Sequence, residues 1–247
     1  MKFHERSMRY KDYFNPDAGW FVPKRRDGSW CPLPEDWMGQ VFFGSCESNL
    51  RQQGWFVPHD FDTFVELQGG RGKAVARLDS LFENTSWKMG FEPYYYHSNE
   101  PVHWVPFLYN RLGCPEKTQK WTRTILERYY FADEEGTVGN EDEGQMSAWY
   151  VLCAAGIHQS CPGSGRVEIL SPVFRKVEFD LDPAWYPGGT FRIIAHRASP
   201  GNIYVRKIRL NGKDLDDCWF DFSAISEGGR LELWMTSNPD EALGSTR

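Results

Sequence analysis

The sequence predicts a mainly α-helical chain that is followed by a β-rich C-terminal module. Up to about residue 160, apolar residues recur every three or four positions, as on one face of a helix. From about residue 166 onward they alternate with polar residues, as in strands with one buried face. Between these stretches lies Cys-Pro-Gly-Ser-Gly at 161–165, a composition typical of a turn or linker. We therefore expect two parts, residues 1–163 and residues 164–247.

About six helices are expected in the first part, each from an apolar stripe at helical spacing. The stripes are residues 3–14; Phe61, Phe64 and Val65; Val75, Leu78, Leu81 and Phe82; Val102, Val105, Leu108, Tyr109 and Leu112; Trp121, Ile125 and Tyr129; and residues 144–155. Pro115 suits the first turn of a helix, and Gly156 suits a C-cap. Long segments separate these helices at 15–54, 84–100 and 131–143. Long ordered loops in a compact domain are usually functional, so we expect the functional site there.

Alternating apolar and polar residues predict strands in the second part. The segments are VEFDLD at 177–182, TFRIIAHRA at 190–198, NIYVRKIRL at 202–210 and RLELWMT at 230–236. Asn211-Gly212 directly follows the third of them. This dipeptide favours the tight turn of a hairpin, so we expect the third strand to fold back at that point.

Composition and charge exclude several classes of protein. The 247 residues include 28 Lys and Arg against 34 Asp and Glu, a formal net charge of −6, which argues against nucleic acid as the main partner. No apolar run approaches the roughly 18 residues that a membrane span requires. The six cysteines form no Cys-x-x-Cys pair, which argues against zinc ribbons and thioredoxin-type motifs. Their spacing leaves open whether any of them form disulfides.

Carboxylates stand in each of the three long loops. Glu47 lies in the first, Glu100 follows His97 and Asn99 in the second, and Asp142 lies in the third. Each comes at or just before an expected helix N-terminus, where backbone N–H groups stabilise negative charge. Simple helix capping therefore explains these residues as well as a functional site does.

The third loop is strongly acidic, with six Asp and Glu residues between positions 133 and 143. It reads either as a solvated surface loop or as a site for a cation. The loop leads directly into the apolar segment MSAWYVLCAAG at 146–156, so at least one carboxylate is expected near the buried interior. A buried carboxylate needs a metal, a cation or a shared proton. The Asp, Glu and Asn oxygens present are those that calcium prefers, although the spacing of an EF-hand is absent.

Several strings in this chain are more specific than their chemistry alone. They are WFVPHD at 55–60, LDSLF at 78–82, NEPVHWVPFLYNRLGCPEKTQKWTR at 99–123, GNEDEGQMSAWYVLCAAGIHQSCPGSG at 139–165, SPVF at 171–174 and NGK at 211–213. In this order they closely resemble glycoside hydrolase family 92, whose members are calcium-dependent, inverting exo-α-mannosidases. The resemblance implies a catalytic (α/α)6 toroid preceded by a β-sandwich domain.

The resemblance also implies catalytic roles. Glu47 matches the glutamate taken as the general acid, and Asp142 matches the aspartate taken as the base that activates water. Inverting glycosidases hold acid and base about 6.5–9.5 Å apart, on opposite faces of the sugar, to leave room for that water. Calcium is expected to hold sugar hydroxyls and to orient the water.

Further residues match positions that bind the metal or the sugar in the family. The implied calcium ligands are Asn99, Glu100, Asn140 and Asp142. The implied sugar contacts are Trp55, His59, Asp60, His103 and Gln145. A mannose-containing glycan is the implied substrate, and an extracytoplasmic location goes with it.

Three departures from the family pattern suggest a divergent member. Arg51 and Gln53 replace an aromatic pair after the acid, and Trp104 replaces the second His of the Asn-Glu-Pro motif. The segment after the last helix reads Ile-His-Gln-Ser at 157–160 in place of Phe-Tyr-Pro-Val. A positive charge at Arg51 would suit an anionic leaving group. A non-catalytic carbohydrate-binding fragment is the alternative function, and a toroid hydrolase of glucosides fits the motifs less well.

A toroid of this type has twelve helices, twice the number expected here. We therefore interpret residues 1–163 as the C-terminal portion of a toroid, followed by strands, and we expect an N-terminal β-sandwich domain that is absent from this chain. On this interpretation the chain alone is poorly active.

Overall fold

The computed structural model describes residues 2–244, and the chain divides into two compact units, Met1–Val102 (unit 1) and His103–Arg247 (unit 2). Helices account for 35% and strands for 20%, with the larger sheets in the C-terminal part. This order confirms the predicted succession of helices and strands. The change from helices to strands begins at Ile157, the compact units divide after Val102, and the domain boundary expected at 163/164 stays a prediction. No helix within the described range has the length and apolarity of a membrane span.

Unit 1 is built from short helices separated by long connections. The segment expected to be one helix over 3–14 consists of α1 (Lys2–Ser7) and a 3-10 segment at Met8–Tyr13. A two-stranded ribbon follows, β1 (Phe14–Asn15) with β2 (Trp20–Phe21). The remaining helices are α2 (Leu50–Gln53), α3 (Phe61–Leu67) and α4 (Arg71–Glu83), with 3-10 turns at Pro58–Asp60 and Glu100–Val102.

Aromatic rings form much of the core of unit 1. The ring centroids of Trp20 and Trp55 lie 5.1 Å apart in an edge-to-face pair, and Phe64 of α3 lies 5.7 Å from Trp20. On α4, the predicted stripe is confirmed where Leu78, Leu81 and Phe82 are fully buried. Burial of large aromatic rings contributes much of the stability of a core. These ring contacts therefore hold in place the ends of the loops that connect the segments carrying the rings.

The helices of unit 2 are α5 (Leu108–Arg111), α6 (Pro115–Tyr129) and α7 (Gln145–Ala155). The helix expected over 102–112 is wrong as a continuous element. A 3-10 turn at Val105–Phe107 precedes α5, because Pro106 has no N–H to donate and favours a helix start over a helix interior. Gly156 caps α7 at φ +94°, a left-handed conformation that glycine adopts without steric cost.

The strands of unit 2 form two sheets. The larger has the order β5-β6-β10-β7-β8, made of Lys176–Asp180, Thr190–His196, Gly229–Thr236, Tyr204–Leu210 and Lys213–Leu215. All four predicted strands lie in this sheet. The hairpin at Asn211-Gly212 is confirmed, with Leu210 paired antiparallel to Lys213.

The smaller sheet was not predicted. It has the order β3-β4-β9, made of Ile157–Gln159, Arg166–Ile169 and Trp219–Asp221. These strands have three or four residues, too few for alternation to be visible. Because β3 follows α7 directly and pairs with β4, the helical and β-rich parts share one hydrophobic core in unit 2, which includes Ala155, Ile157 and Ile169.

Candidate active site

The first long loop presents the carboxylate of Glu47 to solvent. The backbone of Glu47 has φ +56°, in the left-handed region that residues with a Cβ rarely adopt. Phe42 of the same loop has φ +65°. Such strained conformations persist only where the surroundings hold them, and they occur often at functional sites.

Hydrogen bonds hold the Glu47 loop from both sides. The Asn99 side-chain Nδ2 donates to the carbonyl oxygen of Glu47 at 3.1 Å. The Gln53 side chain bonds both backbone groups of Cys46, with Nε2 to oxygen at 2.6 Å and the amide N to Oε1 at 3.3 Å. The Ser45 hydroxyl donates to the Ser48 carbonyl at 2.6 Å. The peptide that carries Glu47 is therefore anchored to the second long loop and to α2.

The residues after Glu47 join the same two loops. Asn49 is the N-cap of α2, since its Oδ1 accepts from the Gln52 N–H at 3.0 Å, and its Nδ2 donates to the Pro93 carbonyl at 3.0 Å. Gln52 is buried, and its Nε2 donates to the Glu92 carbonyl. Sequence reasoning did not assign a role to these residues, although an Asn three positions before Gln52 is a recognisable capping signal.

Glu100 lies next to Asn99 and carries a carboxylate oxygen in need of a partner. Its Oε1 is sealed from solvent and accepts no hydrogen bond from any group within residues 2–244. A buried acceptor without a donor is costly, and a hard cation would satisfy it. The residues present in unit 1 therefore fit a calcium ligand role for Glu100, with the neighbouring Asn99 oxygen as a second ligand.

Arg51 is held in place by its own neighbours. Its Nη2 lies 2.8 Å from Asp36 Oδ1, its Nη1 donates to the Pro93 carbonyl, and its guanidinium lies 4.4 Å from the centre of the Tyr94 ring. This departure from the family pattern thus has a local structural explanation, as does Gln53. The charge of Arg51 is already offset by Asp36.

Three expected sugar-binding residues are engaged within unit 1. Trp55 is 1% exposed and packs in the aromatic core. His59 Nε2 lies 2.9 Å from the Ser7 carbonyl oxygen. Asp60 accepts hydrogen bonds from Tyr10 at 2.7 Å and Thr63 at 2.7 Å.

The ionisation of Asp60 and its partner Tyr10 follows from this contact. Burial raises the pKa of Asp60, but hydrogen bonds from Tyr10 and Thr63 and the ammonium of Lys11 outweigh it and hold the pKa below its usual value. Burial and the Asp60 carboxylate raise the pKa of the Tyr10 hydroxyl. Asp60 is therefore a stable anion at neutral pH that fastens the 3-10 segment after α1 to the start of α3.

In unit 2, the structure brings His103 and Gln145 together. Gln145 Nε2 lies 3.3 Å from His103 Nδ1, and the indole N–H of Trp149 donates to the His103 carbonyl at 2.9 Å. Tyr130 stacks on Trp149 with centroids 5.9 Å apart and planes at 3°. Gln145 Nε2 can only donate, so Nδ1 is the acceptor in this contact and the ring proton of the neutral imidazole lies on Nε2. The pair offers polar groups over an aromatic base.

The acidic loop of unit 2 places its candidates at the surface. Asn140 and Asp142 are exposed, and neither side chain forms a hydrogen bond within the described residues. Gly144 is the N-cap residue of α7, and Glu141, three residues earlier, satisfies the first turn, since its Oε1 accepts from the Ser147 N–H at 3.1 Å. Capping thus accounts for Glu141 and leaves the carboxylate of Asp142 available.

Metal-binding side chains are not clustered within either unit. Over residues 2–244, no three His, Cys, Asp or Glu residues are placed to hold one metal ion. The four expected calcium ligands are divided, with Asn99 and Glu100 in unit 1 and Asn140 and Asp142 in unit 2. The six cysteines are all free thiols.

Comparison with known proteins gives a single family. The model of the glycosyl hydrolase family 92 catalytic domain matches residues 1–237. A curated relative, an uncharacterized secreted glycosidase of Arthroderma benhamiae, is 28% identical over 94% of this chain and 32% of its own length.

Solved structures agree with this match. A family GH92 alpha-mannosidase from Bacteroides thetaiotaomicron superposes with a TM-score of 0.88 at 30% identity, over 99% of this chain and 32% of its own. A family GH92 inverting mannosidase from the same organism superposes with a TM-score of 0.86 at 29% identity, over 99% of this chain and 35% of its own. The chain therefore spans about a third of these relatives, and it belongs to glycosyl hydrolase family 92.

Proposed function

We propose that the protein containing this chain is a glycosidase that removes terminal α-linked mannose from glycans with inversion at the anomeric carbon. Family membership over residues 1–237 supports hydrolysis of a glycosidic bond. Two similar structures are named mannosidases, one of them inverting. Because this chain covers 32–35% of those proteins, turnover is proposed for the assembled protein, with a closed (α/α)6 toroid and a β-sandwich partner domain.

The observation that carries the proposal is the anchoring of Glu47. Its carboxylate is exposed while its peptide is fixed by Asn99, beside the unsatisfied oxygen of Glu100. A general acid must be held at the glycosidic oxygen while its proton transfers, so an immobilised peptide with an accessible carboxylate suits this role. We assign protonation of the leaving oxygen to Glu47.

Asp142 is proposed as the general base. Its exposed carboxylate has no hydrogen-bond donor of its own within the described residues, so an oxygen is free to accept the proton of an attacking water. That water attacks the anomeric carbon from the face opposite the leaving oxygen, which inverts the configuration. Of the proposed sugar contacts, His103 and Gln145 are supported by their shared position near the start of α7.

Calcium is proposed as the cofactor, with Asn99, Glu100, Asn140 and Asp142 as ligands. When bound, it would supply positive charge that orients sugar hydroxyls and the attacking water. Trp55, His59 and Asp60 remain proposed sugar contacts. The contacts that they already make within unit 1 favour an indirect role, in which they hold the backbone of that unit in place. An extracytoplasmic location is proposed because the Arthroderma relative is named a secreted glycosidase.

The test is an assay of the longer protein on an α-linked mannobiose, with the first product anomer followed by NMR. We expect β-mannose first, and a loss of at least a hundredfold in kcat for Glu47→Gln and Asp142→Asn. Asp133→Asn, an exposed acid in the same loop as Asp142, is the control and should retain full activity. Release of α-mannose first contradicts inversion, and full activity of either catalytic variant contradicts that assignment.

A second candidate function is carbohydrate binding without turnover. It is favoured by the exposed side chains of Asn140 and Asp142, which form no hydrogen bond that would orient them within residues 2–244. Calorimetry with mannose and calcium separates the two functions. Calcium-dependent mannose binding by a longer protein that shows no hydrolysis supports the second.

A further inference from the structure

We propose that unit 2 contains a binding site for a tetrahedral oxyanion, phosphate or sulfate, between α6, α7 and the segment after β6. A cavity of about 450 Å³ opens there, lined among others by Arg123, Glu127, Tyr150, Arg175 and Ser199. All of these residues lie in unit 2, and none is among the residues proposed for the glycosidase reaction. The proposal therefore stands independently of the proposed function.

Arg123 is a buried cation without a carboxylate partner. It is 7% exposed, and no Asp or Glu within residues 2–244 lies at ion-pair distance from it. Its Nη2 donates to the Pro172 carbonyl at 2.5 Å and to the Ser171 hydroxyl at 3.2 Å. These neutral acceptors hold the guanidinium in place, and Glu127, the carboxylate that acts on its charge, is exposed to solvent, so the charge is only partly balanced.

Two donors of Arg123 remain unused. Nε is sealed from solvent and finds no acceptor within the described residues. Nη1 forms no hydrogen bond there either, and it is not among the sealed atoms, so it keeps some exposure to solvent. Burial lowers the pKa of Arg123 and the charge of Glu127 opposes that shift, but a guanidinium remains charged at any physiological pH.

Arg175 and Ser199 add donors from other segments. Arg175 lies in the exposed loop before β5, and its Nε contacts the Ala198 carbonyl at 3.4 Å. The Ser199 hydroxyl oxygen accepts from the Asn202 N–H at 3.1 Å, which leaves its own proton to donate. The candidate donors therefore come from a helix and two loops that all line the cavity. That arrangement suits a tetrahedral oxyanion better than a planar carboxylate, which prefers one coplanar fork.

Glu127 also lines the cavity and opposes anion binding. Two guanidinium groups against one carboxylate leave a net positive charge at the site. Coulomb repulsion between Glu127 and a bound anion opposes binding, although solvent at this exposed side chain screens part of it. Removal of this carboxylate should therefore tighten binding, an effect that a purely structural role of Arg123 does not produce.

The test uses the full chain and its ¹H–¹⁵N spectra, including the Arg Nε–Hε resonances. Sodium phosphate and sodium sulfate are titrated at constant ionic strength against sodium chloride. We expect saturable shifts for residues 123, 175 and 199 with both oxyanions and none with chloride. Glucose 6-phosphate is titrated in parallel, and tighter binding than that of inorganic phosphate identifies a phosphorylated sugar as the source of the oxyanion.

Three exposed positions provide variants that keep the fold. Arg175→Gln should weaken phosphate binding about tenfold. Glu127→Gln should strengthen it several-fold. Arg128→Gln, on the same helix but outside the cavity lining, should leave it unchanged. Equal affinities for Arg175→Gln and Arg128→Gln, or shifts that chloride reproduces, overturn the proposal.

Discussion

The side chain of Gln53 brackets the backbone of Cys46. Its Nε2 donates to the Cys46 carbonyl at 2.6 Å, and its Oε1 accepts from the Cys46 N–H at 3.3 Å. The Gln53 side-chain amide thus bonds both the carbonyl and the N–H of one residue, as a residue of a neighbouring antiparallel strand does with its backbone. Since Cys46 directly precedes Glu47, Gln53 restricts the backbone that positions the proposed acid.

Substitution of Gln53 by Ala should loosen this loop without unfolding unit 1. Each lost hydrogen bond contributes about 0.5–1.5 kcal/mol net, so we expect roughly tenfold faster amide exchange at residues 45–48. Hydrogen exchange measured by NMR gives the rates. Gln40→Ala is the matched control, because the Gln40 side chain is exposed and forms no hydrogen bond in the described structure. Unchanged exchange in Gln53→Ala contradicts a holding role.

Gly54 should tolerate no side chain. A Cβ at this position would press against the Trp20 indole nitrogen and the Leu50 carbonyl oxygen, the two groups that share a hydrogen bond of 2.8 Å. Overpacking of this kind costs about 1–3 kcal/mol, so Gly54→Ala should lower the free energy of unfolding by that amount.

Gly72→Ala is the comparison for Gly54, measured in the same urea unfolding experiment. Gly72 lies in α4 with open space around its Cβ direction. Ala is a better helix former, so this variant should gain roughly 0.5–1 kcal/mol. Equal stability of the two variants would mean that the contact with Trp20 carries no cost.

His158 should make unit 2 sensitive to acid. Burial lowers the pKa of His158 to about 4, although its hydrogen bond to the Gln159 carbonyl opposes the shift. In the unfolded chain the imidazole titrates near 6.5, so between these values the unfolded state binds the additional proton. The free energy of unfolding should therefore fall as pH is lowered from about 6.5 to 4, by at most ~3 kcal/mol.

Replacement of His158 by Phe tests this origin of the acid sensitivity. The ring stacks on Phe107 with centroids 4.8 Å apart, so another aromatic ring retains much of the packing. Urea unfolding followed through unit 2 resonances should show a flatter pH dependence between 6.5 and 4 in the variant. His4→Gln, at an exposed position of α1, should leave the dependence as it is.

Glu168 should be the most sensitive charge of unit 2. The side chain is fully buried, with Arg166 Nε at 2.5 Å, the Ser160 hydroxyl at 2.8 Å and Asn110 Nδ2 at 3.1 Å. In Glu168→Gln, an amide with an NH2 group of its own faces these donors, and it cannot accept from all of them. Arg166 also loses its charged partner. We expect a loss of about 3 kcal/mol in the free energy of unfolding.

Glu178→Gln provides the surface counterpart. Glu178 also pairs with an arginine, Arg192, but both side chains are exposed and solvent screens the pair. Urea unfolding should show only a slight change for this variant. A similar loss for both variants would mean that burial does not decide the contribution of these ion pairs.

The sequence predicted the elements whose pattern repeats over several turns. The stripe on α6 is confirmed, with Trp121, Ile125 and Tyr129 all buried, and Gly156 caps α7 as expected. Short strands such as β3 have too few residues for a pattern. Pairing between distant segments is also invisible locally, as in the parallel contact of Phe191 with Gly229.

The candidate site was predictable in part. The carboxylates in long loops drew attention to Glu47 and Asp142. The same criterion drew attention to Glu100, which follows Asn99. The pattern could not distinguish an exposed sugar-binding ring from a buried one, and Trp55 lies in the core. Nor could it show that Gln53, a departure from the family pattern, makes two backbone contacts, because those depend on how the loop turns back on α2.

The position of β10 in the larger sheet determines when unit 2 can fold during synthesis. This strand, Gly229–Thr236, lies between β6 and β7 although it comes last in the chain. A ribosome therefore releases the pairs β5–β6 and β7–β8 as two separate half-sheets, each with an open inner edge. Only after residue 236 has left the exit tunnel can Leu231 and Leu233 join the halves, so nascent unit 2 depends on protection of those edges from other chains until then.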